Sequence, residues 1–146
     1  MLKYSLTLKV YLKMAKEIKP INKIIPLIIY PFDVMISINE NYDQFADAVM
    51  KRWDREILND FKKKEAMLRK GGLGVTALFT SESHRACMIK IGEFTKDPQS
   101  HGTLAHEIFH AVEFVLRICG MKVSSTSHEA YAYLVGYITE EIYKEL

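Results

Sequence analysis

Residues 106–110 read His-Glu-Ile-Phe-His, two imidazoles four positions apart with a carboxylate beside the first. On an α-helix such positions share a face with Cβ atoms about 5–6 Å apart, so both rings can reach a single ion at ~2.0–2.1 Å. Glu107 is turned roughly 100° from His106, which keeps it off the ion and close to water held there. The chemistry on offer is that of a bound metal ion, with His106 and His110 as ligands and Glu107 near the water it holds. The same residues also fit an ordinary amphipathic helix whose core face is Leu104, Ile108, Ala111, Val112 and Val115.

A catalytic zinc takes three protein ligands and keeps one position open. Beyond His110 the chain continues Ala111-Val112-Glu113, with Leu116 further on, so no third histidine follows on the same helix. Glu129 comes after eighteen intervening residues, enough for the helix to end, turn at Gly120 and return a carboxylate from the next helix. His128 is the substitute candidate. Thr126-x-x-Glu129 also matches a capping box, in which the glutamate only returns a hydrogen bond to the cap residue. Two imidazoles alone make a poor zinc site, and this favours the ligand role for Glu129. Glu113 shares the face of His106 and His110, where it either orients a histidine or serves as an ordinary boundary carboxylate.

These groups need elements to hold them. A helix opens near Asp97-Pro98 or Ser100–Thr103 and runs to about Cys119, where Gly120 ends it. Another helix starts after Ser124-Ser125-Thr126 and runs to the carboxyl terminus. Upstream, Leu2 to Leu12 alternates apolar and polar residues as a half-buried strand does, and Phe32 to Ile38 is a second strand with Val34, Ile36 and Ile38 on one side. Pro20, Pro26 and Pro31 punctuate the stretch between. Asn39 to Asp43 supplies cap residues for a long amphipathic helix in which Phe45, Val49, Trp53, Ile57 and Phe61 recur to about Leu68. After Gly71, Gly72 and Gly74, Val75–Thr80 and Arg85–Phe94 form a hairpin over Ser81–His84. Strands followed by helices give an α+β fold: a small sheet packed on a long helix, followed by the helix with the His pair and a C-terminal helix. A single domain spans 1–146, with a basic arm or strand over 1–30 and a metal-binding half over 95–146.

The 146 residues are 49% hydrophobic and 26% charged, the make-up of a folded, water-soluble domain. A chain of this size buries a core without help from a metal, so a metal site calls for a chemical reason. The net charge of +2 is too near balance to point to nucleic acid, although residues 1–30 carry six lysines against one glutamate. The two cysteines, Cys87 and Cys119, are isolated, which fits a reducing compartment. Lysines at 9, 13, 16 and 19 interrupt any export signal, and the apolar run Ile24–Tyr30 is too short to span a bilayer. The expected location is cytoplasmic, without a membrane partner and with the oligomeric state open. His84 and His101 read as surface residues.

The segment from Gly102 to Val112, followed by Glu129-Ala130-Tyr131-Ala132-Tyr133-Leu134, resembles the active-site half of zincin metallopeptidases. The glutamate at this spacing is similar to the third ligand of the gluzincin branch, and the size is similar to small zincin-like proteins of bacteriophages. The resemblance covers residues 95–146, and residues 1–70 match in element order alone. It implies a zincin-like fold and a zinc-dependent endopeptidase acting on a peptide or protein, in the host-cell cytoplasm if phage-encoded. His106, His110 and Glu129 would hold Zn2+, and Glu107 would be the general base. It also implies an extended substrate lying along a sheet-edge strand, here Arg85–Phe94. Tyr131, Tyr133, Tyr137, His101 and His128 are candidates for a second oxyanion donor. Tyr133 stands where gluzincins often carry an aspartate, and this departure leaves an alternative: a catalytically inactive zincin-like module, of a phage or mobile element, that binds a metal or another protein.

Overall fold

Alternating side chains build the sheet. β1 (Ile21–Leu27) and β2 (Phe32–Ile38) form an antiparallel hairpin in register from Ile21↔Ile38 to Leu27↔Phe32. The computed structural model describes residues 18–82 and 84–146, and the strand expected over 2–12 lies outside them. β1 is hidden in the sequence by Pro26 within it and Pro20 just before it. Pro26 is tolerated because β1 is an edge strand among the described residues, so a missing N–H breaks no ladder.

The expected long helix is three helices: α1 (Tyr42–Arg52), α2 (Arg55–Lys63) and α3 (Glu65–Arg69). Asn41 opens α1 with a capping box, its Oδ1 accepting from Gln44 N at 2.8 Å while Gln44 Oε1 accepts from Asn41 N at 3.0 Å. Trp53 is extended, and Asp54 caps α2 by accepting from Glu56 N and Ile57 N. The break has a geometric reason. Residues recurring every four positions drift roughly 40° per step around a straight helix, so Phe45 and Phe61 could not face one core without an interruption. With it, Phe45, Val49, Ile57, Phe61 and Leu68 all pack on Met35, Ala77, Phe79 and Met88.

β3 (Gly74–Thr80) and β4 (Arg85–Ile91) form the expected hairpin, and β4 lies parallel to β2, giving the order β1-β2-β4-β3. Among the described residues the edge strand beside the helices is therefore β3. Arg85–Phe94, expected at the edge, supplies an interior strand, because the chain reaches β3 first and then doubles back between β3 and β2.

α4 (Pro98–Ile118) and α5 (His128–Tyr143) cover the other sheet face, where Val34, Ile36, Ile38, Cys87, Ile89 and Ile91 meet Leu104, Ile108, Ala111, Val115, Leu134 and Ile138. The fold is thus α+β, a four-stranded mixed sheet between two helical layers. Asp97 caps α4, accepting from Ser100 N at 2.7 Å, with Pro98 in the first turn. At the other end Gly120, at φ +83°, permits a Schellman turn in which Met121 N bonds Leu116 O at 2.8 Å and Gly120 N bonds Arg117 O at 3.0 Å. That turn sends the chain back: Tyr131 lies against Phe109 and Tyr143 against His101, so α5 runs antiparallel to α4. Among the described residues no helix is long and apolar enough to cross a membrane.

Candidate metal centre

Helical spacing alone places the two histidines side by side. On the outer face of α4 the rings of His106 and His110 lie 4.6 Å apart, edge to face, and their Nε2 atoms are 3.0 Å from each other. Two imidazole nitrogens bonded to one tetrahedral ion stand about 3.3 Å apart, so these Nε2 atoms fit two positions of such an ion with little movement. Without a metal the same contact is a hydrogen bond in which one Nε2 donates and the other accepts. Both rings are exposed, and that of His110 stacks on Phe114.

Glu107, about 100° round the helix from His106, is turned toward β3 and is 7% exposed. Its Oε2 lies 2.5 Å from the Thr76 hydroxyl on β3, and its backbone carbonyl lies 3.0 Å from the same hydroxyl. Gly74 makes room for it: a Cβ there would sit 2.9 Å from Glu107 Cγ and 3.0 Å from Thr103 Cγ2. Cys87, fully buried on β4, has its thiol pKa pushed up first by burial and then by the charge of Glu107. It packs as a small apolar side chain in the core beneath α4.

Glu129 sits in the first turn of α5. Its side chain is 90% exposed, with Oε1 3.5 Å from His128 Nε2. The capping box does not form: α5 begins at His128 with Ser127 as its cap residue, no side chain caps the helix, and Thr126 Oγ1 meets Ser124 Oγ instead. Glu129 therefore carries no capping duty. Two residues on, Tyr131 lies 6.3 Å from Phe109, the residue beside His110. The structure thus brings the first turn of α5 against the helix of the His pair but does not bring the Glu129 carboxylate together with the imidazoles. Among the described residues no three His, Cys, Asp or Glu side chains converge as a metal-holding group. The chain matches no protein-family model, no curated protein and no solved structure.

The remaining polar candidates sort by their bonds. Glu113 pairs with Arg117 Nε at 3.1 Å, as an ordinary boundary carboxylate does. His84 lies 3.0 Å from Asp33 Oδ2, and His101 packs between Phe94 and Tyr143. Of the five possible oxyanion donors, Tyr131 donates to Met121 O, Tyr137 to Pro26 O, His101 Nδ1 meets Tyr143 Oη, and His128 Nδ1 meets Ser125 O. Tyr133, at 66% exposure, has no such bond among the described residues. Sequence reasoning missed Thr76 and Gly74. A glycine opening an apolar strand, as Gly74 does, signals a close approach by another group.

Proposed function

We propose that the protein is a zinc-dependent peptidase. The observation that supports this most directly is the 3.0 Å approach of the two Nε2 atoms, with Glu107, the residue after His106, buried against β3. His106 and His110 would hold the ion, with Glu129 as third ligand, and zinc is the default occupant of a His/His/Glu set. Such an ion supplies Lewis-acid chemistry, raising the acidity of water and polarising a carbonyl. The chain does the rest. Glu107 takes a proton from the attacking water as the O–C bond forms, then returns it to the amine nitrogen as the C–N bond breaks. Among the described residues β3 is an edge strand, and on it an extended peptide can lie as an added strand. The exposed Tyr133 hydroxyl is the remaining candidate to donate to the developing oxyanion.

The second reading, a metal-binding module without turnover, draws on the exposed position of Glu129. One experiment separates the two: elemental analysis of the purified chain together with cleavage of a fluorogenic peptide library. The peptidase reading expects stoichiometric zinc and turnover. Glu107→Gln then lowers the rate at least ~10³-fold with zinc retained, and His106→Ala loses the metal. Zinc without cleavage establishes the module. Full activity in Glu107→Gln removes the assigned base.

A further inference from the structure

We propose that Thr76 is a positioning residue for Glu107, fixing its carboxylate against β3 in the slot that Gly74 leaves open. As a role in hydrolysis this rests on the peptidase reading. As a bond within the chain it does not. Thr76 belongs to the face of β3 turned toward α4, two positions from Gly74, while Ala77 and Phe79 point into the opposite core. Its hydroxyl has one proton and two acceptors within reach, Glu107 Oε2 at 2.5 Å and Glu107 O at 3.0 Å. A carbonyl inside an α-helix already accepts from the amide four residues on, whereas the carboxylate oxygen of a residue only 7% exposed has no helical donor of its own. The proton therefore goes to Oε2, giving a short, charge-assisted bond.

The consequence is directional. With Oε2 tied to the strand, the second oxygen, Oε1, is the one left to handle a proton. Among the described residues Oε1 has no hydrogen-bond partner. The Glu107 Cγ fills the space a Cβ on Gly74 would take, so the side chain leaves the helix close against β3 and the hydroxyl selects the orientation of its carboxylate. A carboxylate rotated away from the reacting water by about 1 Å loses on the order of 10²-fold in rate.

The test uses the full chain with Thr76→Val, which keeps the branched shape and removes the donor, and Thr76→Ser, which keeps the donor. With zinc bound and the peptide library as probe, Thr76→Val lowers kcat by about 10–100-fold while KM and zinc content stay within about twofold, and Thr76→Ser recovers most of the rate. A second readout needs neither metal nor activity. In metal-free protein, Thr76→Val lowers the melting temperature by about 5 °C in the parent and hardly at all in a Glu107→Ala background. Equal losses in both backgrounds, or a serine variant as slow as the valine one, overturn the proposal. A parent chain that binds zinc and cleaves nothing defeats the peptidase reading instead, and the melting comparison then decides the Thr76–Glu107 bond by itself.

Discussion

Two helices furnish the candidate site, and they are anchored in different ways. α4 starts at an Asp97 cap with Pro98 behind it, ends in a Schellman turn at Gly120, and lies on β3 and β4 with Glu107 tied to Thr76. α5 starts at Ser127 without a side-chain cap and presents His128 and Glu129 to solvent, 61% and 90% exposed. The first helix has its chemical groups positioned by neighbours before any ligand arrives. The second has only brought its first turn close, through Tyr131 against Phe109. A ligand set split this way would be completed by the metal, whose binding energy also orders the carboxylate that joins last.

The largest expected effect comes from the α5 side. Glu129→Ala weakens zinc affinity by more than about 100-fold, since loss of residues that merely orient ligands already costs 10–100-fold. Titration against a competing chelator measures it. An acidic residue in a first helical turn also favours the helix dipole, so the variant loses a little thermal stability whether or not it binds metal. Unchanged zinc affinity with lowered stability would make Glu129 a dipole residue and leave α4 as the whole metal site.

The α4 side breaks differently. Gly74→Ala forces a Cβ to within 2.9 Å of Glu107 Cγ, and because that side chain is tied to Thr76 it has little room to retreat. The variant is expected to lose about 1–3 kcal/mol of stability, read by denaturant unfolding, with hydrolysis falling while zinc affinity holds. A variant of full stability and activity would mean that the slot is loose and α4 no better anchored than α5.

The same contrast explains what the sequence made legible. The hairpin of β3 and β4, the limits of α4 and the start of α5 follow from local signals: alternation, an Asp-Pro start, a glycine stop. The facing imidazoles are equally local, because four residues of helix put them together. Three features are not local. β1 hid behind Pro26, acceptable because among the described residues the strand pairs on one side alone, a property of the sheet rather than of residues 21–27. The identity of the edge strand depends on the order in which the chain fills the sheet, and so the edge fell to β3 rather than Arg85–Phe94. Thr76 and Glu107 are partners across 31 positions of chain, and no spacing rule links them. The break at Trp53-Asp54 was readable in retrospect from the drift of a four-residue repeat, with Asp54 marking the new start.

The smallest effect sharpens the comparison at the helix starts. Hydrogen bonds from Ser100, with smaller contributions from Thr95 and His101, hold the Asp97 carboxyl below the usual carboxylate range. A depressed folded-state pKa gives stability that is present above the unfolded value, about 3.9, and is lost as pH falls through the folded value. Asp97→Ala should therefore lower the melting temperature by a few degrees at neutral pH, with a constant gap from the parent down to about pH 5 and a narrowing gap below about pH 4. Ser127→Ala at the start of α5 removes no titrating group, so its gap should not change with pH over the same range. A gap at Asp97 that persists unchanged to pH 2 would show that the carboxylate charge contributes nothing to anchoring α4, and the difference between the two helix starts would then be one of packing alone.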